Sequence, residues 1–236
     1  MDSENSSKKQ ITMRIPAFII NYNRLTLPKN MAEFLSKNEN VDVYIIDNNS
    51  SYKPLLEWYE TCPYNVIHMG GNYGHTVFWE HKLYEKYVKT GLYILTDSDL
   101  DLSEIPDDWL EVLIEGLNKY KYNKVGFSLK TEDLPESTFR DEIVGWESQF
   151  CVPKARALDA LYTEAHIDTT FALHKTDEHA IYSSIRVNHP YTAKHIPWYY
   201  TDFDILPDDE KYYFNNLKTS TLWSRQFNVK QNNDNN

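Results

Sequence analysis

The sequence predicts an α/β fold with a mostly parallel central sheet and a less regular C-terminal region. Three observations support this prediction. Short apolar runs alternate with helical patterns through the first half of the chain, and each of these runs ends in a polar cluster. No internal repeat or long linker interrupts the alternation. Strands that alternate with helices at this spacing are typical of βαβ units, whose strands lie parallel in one sheet.

The first half of the chain contains four predicted strands separated by helices. The strands are expected at 15–20, 41–46, 65–69 and 92–96, where apolar and β-branched residues dominate. Helical patterns are expected at 27–38, 55–59 and 77–89. Ligands of parallel sheets bind beyond the carboxyl ends of the strands, so the polar clusters that follow these strands are the expected site.

The second half of the chain gives a weaker pattern. Helices are predicted at 107–120 and 155–162, and strands at 125–129 and 169–173. The acidic run Asp208-Asp209-Glu210 is interpreted as the solvated start of a further helix. Residues 1–12 and 229–236 are polar with little to bury, and both segments are expected to be disordered.

Composition and charge restrict the function. A chain of 236 residues can bury a substantial core. Its net charge of −11 argues against a nucleic-acid partner, because a duplex binder requires a basic face. An acidic protein holds a phosphate ester best through a bridging divalent cation with acidic side chains as ligands. The 18 tyrosines and 6 tryptophans supply core volume and also walls for sugar or base rings.

The sequence also predicts a location. Cys62 and Cys151 are far apart and unlike any zinc spacing, so they are interpreted as reduced thiols. No apolar run approaches the roughly 20 residues that cross a bilayer. The first ten residues are polar and lack the apolar core of a signal peptide. We therefore expect a soluble cytoplasmic protein with no integral membrane segment.

The strongest local motif is Asp97-Ser98-Asp99, which directly follows a predicted apolar strand. In an extended segment, side chains two residues apart point the same way, so both carboxylates can reach one cation. Asp101 adds a third acid in the same register. The motif therefore predicts a site for a divalent metal, with an acidic helix-capping turn as the alternative.

Four motifs follow one another in residues 13–103. They are the strand ending in the turn Asn21-Tyr22-Asn23-Arg24, the cluster Asp47-Asn48-Asn49-Ser50, the turn Asn72-Tyr73-Gly74, and Asp97-Ser98-Asp99. Together and in this order they resemble the motifs of family 2 glycosyltransferases. Glycines concentrate at the third motif, where Gly70, Gly71 and Gly74 permit a tight turn. The Rossmann fingerprint G-x-G-x-x-G is absent.

The resemblance implies a single domain of the GT-A fold and a sugar-transfer reaction. Residues 13–103 would form the half that binds a nucleotide-diphosphate sugar, and residues 104–228 the half that binds a glycan or glycoprotein acceptor. It implies that the Tyr22 region and Asp47 hold the base, with Asp97 near the ribose and Asp99 on Mn²⁺ or Mg²⁺. Such a cation neutralises the charge that builds on a departing diphosphate. Donor contacts are expected from Asn21, Tyr22, Asn23, Arg24, Asp47, Asn72, Gly74, Asp97 and Ser98.

The segment 189–199 holds two histidines, a lysine and three aromatic rings. Many GT-A enzymes take a third metal ligand from a histidine in a C-terminal loop, and the resemblance makes His195 the candidate. Lys194 is expected to offset diphosphate charge, and Trp198 to cover a sugar face.

An inverting transferase needs a carboxylate that deprotonates the acceptor hydroxyl. The candidates are Asp141, Glu142, Glu147 and Asp168. Asp168 ranks first because it opens a predicted strand, and Glu147 second because its neighbour Trp146 is expected to raise its pKa.

Two other functions remain open on the sequence. A nucleotidyltransferase also uses a metal and a nucleotide at a sheet edge, although the turn at 21–24 lacks the glycine-rich basic loop normal for that class. The other is a carbohydrate-binding protein without catalytic activity on the same fold.

Overall fold

A computed structural model describes residues 14–175, 180–217 and Phe227. The strands in this part of the chain are β1 Ile15–Asn21, β2 Val41–Asp47, β3 Asn65–His68, β4 Tyr93–Asp97, β5 Leu100–Asp101, β6 Lys124–Leu129, β7 Arg156–Ala157, β8 Tyr162–Glu164, β9 Ala172–His174 and β10 Ser184–His195. The helices are α1 Thr26–Ser36, α2 Lys53–Thr61, α3 Val77–Glu80, α4 Leu83–Tyr87, α5 Trp109–Lys119, α6 Arg140–Glu147 and α7 Asp208–Asn215. Short 3₁₀ turns lie at Gly74–Thr76, Ser148–Phe150 and Ile196–Tyr199.

The strands form one sheet in the order β3-β2-β1-β4-β9-β6-β10-β8-β7, and β5 pairs with the end of β10. Strands β3, β2, β1 and β4 are parallel, and β9 is antiparallel to both of its neighbours. The fold is therefore the predicted α/β class with a largely parallel sheet.

The strand order reverses direction between β1 and β4. The chain builds outward from β1 to β2 and β3, then returns to place β4 on the other side of β1. Ile20 pairs with Asp97 at the carboxyl ends of these two strands. In open α/β sheets the crevice at such a switch point is where ligands bind. The topology thus directs attention to the turn after β1 and to residues 97–99.

Strand β1 is buried on both faces because helices cover the sheet on each side. Its alternate side chains Ile15, Ala17 and Ile19 pack in a core cluster with residues of α1 and α5. Phe18 and Ile20 point the other way and pack with residues of α3 and α4. The period of two along the strand therefore places the sheet between two layers of helices.

Three of the elements predicted from the sequence differ from those in the structure. The helix predicted at 77–89 is interrupted at Lys82, whose φ of 49° lies in the left-handed region, so two short helices form instead. The helix predicted at 155–162 is absent, because the Asp159 carboxylate accepts the N–H groups of Leu161 and Tyr162 and makes a turn between β7 and β8. The strand predicted at 169–173 begins only at Ala172.

The segment expected to be a C-terminal loop is instead the end of a twelve-residue strand. Strand β10 runs through His195 and is parallel to β6, with a register shift between Val187 and Thr192. A strand holds side chains in fixed alternation, so His195 and Lys194 face opposite sides of the sheet.

Helix α7 packs against the start of α1 through its acidic first turn. The Asp209 carboxylate accepts the backbone N–H groups of Leu25 and Thr26, at 2.9 and 2.6 Å. Helix α1 has no side-chain cap of its own, so Asp209 supplies one from the other end of the chain. The prediction of a helix start at 208–210 is confirmed, but its description as solvated is wrong, because Asp209 and Glu210 are buried.

The remaining predictions from the sequence concern the chain ends, the cysteines and membrane spans. The segments 1–12 and 229–236 lie outside the described residues. Cys62 and Cys151 are both free thiols. Within the described ranges, no helix combines the length and the apolar character needed to span a bilayer.

The cap from Asp209 gives a prediction for stability. Replacing Asp209 with Ala leaves two N–H groups of the first turn of α1 without their acceptor. We expect Asp209→Ala to lower the free energy of unfolding by about 1–2 kcal/mol, measured by urea denaturation. Asp208→Ala is the matched control, since Asp208 is exposed on the same turn. Equal losses in the two variants would contradict the capping role.

Candidate active site

A cavity of about 690 Å³ opens at the carboxyl ends of β1 and β4. Its size lies in the range of small-molecule sites. It contains most of the residues that the sequence predicted for a site. The predicted residues on its wall are Asn21, Tyr22, Arg24, Asn72, Gly74, Asp97, Ser98, Asp99, Glu147, Asp168, His195 and Trp198.

The turn after β1 is held by two asparagines that play different parts. The side chain of Asn21 donates to the Arg24 carbonyl at 2.8 Å and to the Tyr59 hydroxyl at 2.9 Å. Asn23 has a φ of 57°, and its side-chain oxygen accepts the N–H groups of residues 51 and 52. Asn23 is fully buried and does not line the cavity, so its predicted donor contact is corrected to a role in holding the turn.

The cluster after β2 also differs from the prediction. The Asp47 carboxylate accepts the Ser50 N–H at 3.1 Å and lies 3.2 Å from the Nδ1 atom of His68. It is buried away from the cavity wall, which Asn48 lines instead. The Asn48 amide donates to the Gly74 carbonyl at 3.0 Å, which joins this cluster to the 72–74 turn. Direct contact of Asp47 with a ligand in the cavity is therefore not supported, and Asn48 takes its place.

Asp97 is fixed by the segment that precedes β9. Its backbone N–H donates to the Thr169 carbonyl, and its carboxylate accepts the Thr169 hydroxyl at 2.6 Å. Desolvation at the base of the cavity, followed by the like charge of Asp99, raises the pKa of Asp97 to about 7. Burial and the neighbouring charge of Asp99 therefore both disfavour the ionised form of Asp97.

Asp99 is buried beside one permanent positive charge. Its Oδ2 atom lies 3.1 Å from Nη1 of Arg24 and 3.5 Å from Nε2 of His195. Burial acts to raise the pKa of Asp99, but its basic neighbours, of which Arg24 carries a permanent charge, outweigh it and hold the pKa below its usual value. Its Oδ1 atom is buried and has no hydrogen-bond partner among the described residues. Asp99 is therefore an ionised carboxylate with one acceptor oxygen still available.

Arg24 connects Asp99 to the C-terminal helix. Its Nε donates to the Glu210 carboxylate at 2.9 Å, and its guanidinium lies 3.7 Å from the centre of the Tyr213 ring. Burial acts to lower the pKa of Arg24, but Glu210, Tyr213 and Asp99 raise it above its ordinary value. Burial also raises the pKa of Glu210 to about 7. The sequence did not predict Glu210 or Tyr213, because nothing local relates them to residue 24.

His195 and Trp198 line the cavity, whereas Lys194 does not. Burial lowers the pKa of His195 and favours the neutral imidazole, the form that ligates metals. Its ring packs on Trp198 with centroids 4.7 Å apart, and both line the cavity. Lys194 pairs with Glu104 and lies 3.8 Å from Asp133, away from the cavity. The position of Lys194 therefore does not support its predicted role beside a diphosphate, since the alternation of β10 points its side chain away from the cavity.

The two highest-ranked of the four candidates for a catalytic base lie in different surroundings. Asp168 is exposed on the cavity wall, and its carbonyl accepts the buried Nζ of Lys124 at 3.0 Å. Its segment is irregular and not a strand start, so Lys124 and Thr169 fix the backbone instead. Glu147 is buried and forms an ion pair with Arg186. Burial raises the pKa of Glu147, whereas Trp146 is largely exposed and is not the cause.

The donor set at 97–99 suits a hard divalent cation. In residues 14–175 and 180–217, no three histidine, cysteine or acidic side chains are arranged to hold a metal ion alone. Mg²⁺-type ions are usually bound by one or two carboxylates together with phosphate oxygens of the substrate. The Oδ1 atom of Asp99 has no hydrogen-bond partner among the described residues, and the pKa of Asp97 is raised. A cation shared with a phosphate would give Oδ1 a partner and would stabilise the ionised form of Asp97. The residues therefore fit a cation that arrives with a phosphate ligand.

Of the comparisons with known proteins, the one with solved structures bears on the architecture. No known family profile matches the chain, and no curated protein matches it in sequence. Among solved structures, it is similar to the mannosyltransferase PcManGT from Pyrobaculum calidifontis, in complex with GDP-Man and Mn²⁺. The identity is 12% and the TM-score 0.51, over 79% of this chain and 62% of that chain, so this chain spans less than two thirds of that length. This likeness shows the fold: a mixed α/β structure with a largely parallel sheet, as in a Rossmann-like glycosyltransferase.

Proposed function

We propose that this protein is a metal-dependent glycosyltransferase that moves a sugar from a nucleotide-diphosphate donor to a hydroxyl of a glycan or glycoprotein. The observation that carries the proposal is the pair Asp97 and Asp99 beside His195, on a cavity wall at the switch point of the sheet. Similarity to a mannosyltransferase structure that contains GDP-Man and Mn²⁺ supports the same class.

The donor side of the cavity is formed by the turn after β1 and the 72–74 turn. The Tyr22 ring lies 6.4 Å from the Tyr213 ring, and both line the cavity, so they provide aromatic surface for the base. Arg24 carries a permanent charge that can face the diphosphate while Glu210 keeps it in place. Asn72 and Gly74 line the cavity where Asn48 holds their turn. Trp198 offers a face to the sugar.

Asp97, Asp99 and His195 are the residues that would hold Mn²⁺ or Mg²⁺ together with phosphate oxygens of the donor, since no three such side chains in residues 14–175 and 180–217 are arranged to hold a metal ion alone. When bound, such a cation stabilises the negative charge of the departing nucleoside diphosphate. Asp99 enters this role already ionised, because the permanent charge of Arg24 lies 3.1 Å from its carboxylate and helps to lower its pKa. Thr169 holds the Asp97 carboxylate in place through its hydroxyl.

Asp168 is the proposed base for an inverting reaction. Its exposed side chain lies on the cavity wall one residue before Thr169, which contacts Asp97. A carboxylate there can take the proton of an acceptor hydroxyl as the new bond forms. Glu147 ranks second, because its ion pair with Arg186 occupies the carboxylate.

The metal site gives the first test of this function. A ligand that binds only the folded state raises the melting temperature. We expect GDP-mannose or another nucleotide-sugar with Mn²⁺ to raise the Tm of the wild-type protein, and Asp99→Ala to remove this Mn²⁺-dependent rise. Asp101→Ala is the control, since Asp101 lies two residues after the motif but does not line the cavity. A full rise in excess EDTA, or in Asp99→Ala, contradicts the metal-dependent site.

The base gives the second test. We expect Asp168→Asn to lower the rate of sugar transfer by roughly 100- to 10,000-fold while donor affinity is nearly unchanged. Glu142→Gln is the control, because Glu142 is an exposed acid of α6 outside the cavity. Turnover is measured as release of nucleoside diphosphate, and product NMR should show an inverted anomeric configuration. A fully active Asp168→Asn variant places the base elsewhere, and a retained configuration rules out the inverting mechanism.

A further inference from the structure

A chain of aromatic side chains lines part of the cavity that the metal site does not use. We call Trp146, Phe150, His166 and Tyr182 the aromatic rim. Consecutive rings touch edge to face or at an angle: Trp146 and Phe150 at 5.8 Å, Phe150 and His166 at 6.1 Å, and His166 and Tyr182 at 4.6 Å between centroids. All four residues line the cavity, and they come from three separate parts of the chain.

Two members of the aromatic rim are unusually exposed for their size. Trp146 is 63% exposed and Tyr182 is 77% exposed, although both border a concave surface. Large rings that are left uncovered inside a binding cavity favour contact with a ligand over packing in the core.

The aromatic rim is supported from below by a buried ion pair. The guanidinium of Arg186 lies 4.4 Å from the centre of the Phe150 ring, and its Nε donates to the His166 carbonyl at 2.9 Å. Its Nη1 pairs with the Glu147 carboxylate, and both side chains are buried. One arginine thus fixes two members of the aromatic rim. Such support is expected where a surface must keep its shape for a ligand.

The aromatic rim is continuous with the proposed reaction centre. Between residues 166 and 169 burial alternates, so His166 and Asp168 are exposed while Ile167 and Thr169 are buried. Thr169 contacts Asp97 directly. A molecule that rests on the aromatic rim is therefore next to the proposed base and on the same cavity as the metal site.

We propose that the aromatic rim is the acceptor subsite and that it binds a saccharide ring, with Trp146 and Tyr182 as its stacking surfaces. This inference rests on the proposed glycosyltransferase function. A pyranose presents an apolar face of C–H groups and an edge of hydroxyls, which requires flat rings next to polar groups. The aromatic rim offers such rings, one of them the polar ring of His166, and Gln149 and Asp168 lie on the same wall. The polar groups disfavour an acyl chain as the occupant.

The test measures saccharide binding to the intact protein by saturation-transfer NMR. The probes are maltose, cellobiose and methyl α-D-mannopyranoside, each with and without GDP and MnCl₂. We expect at least one probe to bind through its ring C–H protons. Trp146→Ala and Tyr182→Ala should each weaken that binding by about fivefold to tenfold, as expected for loss of one aromatic contact.

Two controls separate stacking from general effects. Ile205→Ala removes an exposed apolar side chain of matching exposure, 75%, outside the cavity, and should leave binding unchanged. Tyr182→Phe keeps the ring and should retain most of the binding. The proposal is overturned if no saccharide shows a saturation-transfer signal, or if the wild type and both alanine variants bind equally.

Failure of the acceptor subsite is distinguishable from failure of the proposed function. Nucleotide-sugar binding with Mn²⁺ is measured separately in the same variants and should not change, because Trp146 and Tyr182 are not among the proposed donor contacts. Saccharide binding without any nucleotide-sugar binding supports a saccharide site at the aromatic rim but contradicts the proposed glycosyltransferase function. Nucleotide-sugar binding without saccharide binding keeps the transferase and rejects the aromatic rim.

Discussion

The structure of the site depends on one buried guanidinium, that of Arg24. It joins the turn after β1, the Asp97-Ser98-Asp99 motif and helix α7, through Asp99 on one side and Glu210 on the other. A buried charge that loses its partner typically costs 3–5 kcal/mol, so these contacts constrain one another strongly. Helix α7 is therefore part of the site and not an appendage, and Asp209 strengthens the connection by capping α1.

Both walls of the cavity contain a buried arginine that pairs with a glutamate and packs on an aromatic ring. On the donor side, Arg24 pairs with Glu210 and packs on the Tyr213 ring. On the aromatic rim, Arg186 pairs with Glu147 and packs on the Phe150 ring. Each arginine has its charge balanced and its flat face covered, which keeps it buried and in one position. Asp168 lies two residues after His166 of the aromatic rim and one residue before Thr169, which contacts Asp97. In our proposal the base therefore lies next to both the acceptor subsite and the metal site.

The features that could be predicted from the sequence are those that depend on residues close together in the chain. The apolar run at 15–20 and the polar residues after it identify a buried strand and its ligand edge from local chemistry alone, and residues 97–99 follow the same logic. The partners of Glu147 and Arg24 lie 39 and 186 residues away, beyond any periodicity. The burial of Glu210 and the turn at Asp159 were missed for related reasons: acidic runs resemble solvated helix starts, and a side-chain cap competes with an apparent helical spacing.

The measurement that tests the central claim most directly is ³¹P NMR of a nucleotide-sugar incubated with the protein and Mn²⁺. A glycosyltransferase breaks the bond between the sugar and the diphosphate, so slow hydrolysis or transfer releases a nucleoside diphosphate. We expect this product in the presence of Mn²⁺ and its loss in EDTA. Release of a nucleoside monophosphate and a sugar phosphate, or no reaction with any nucleotide-sugar and acceptor, would contradict it.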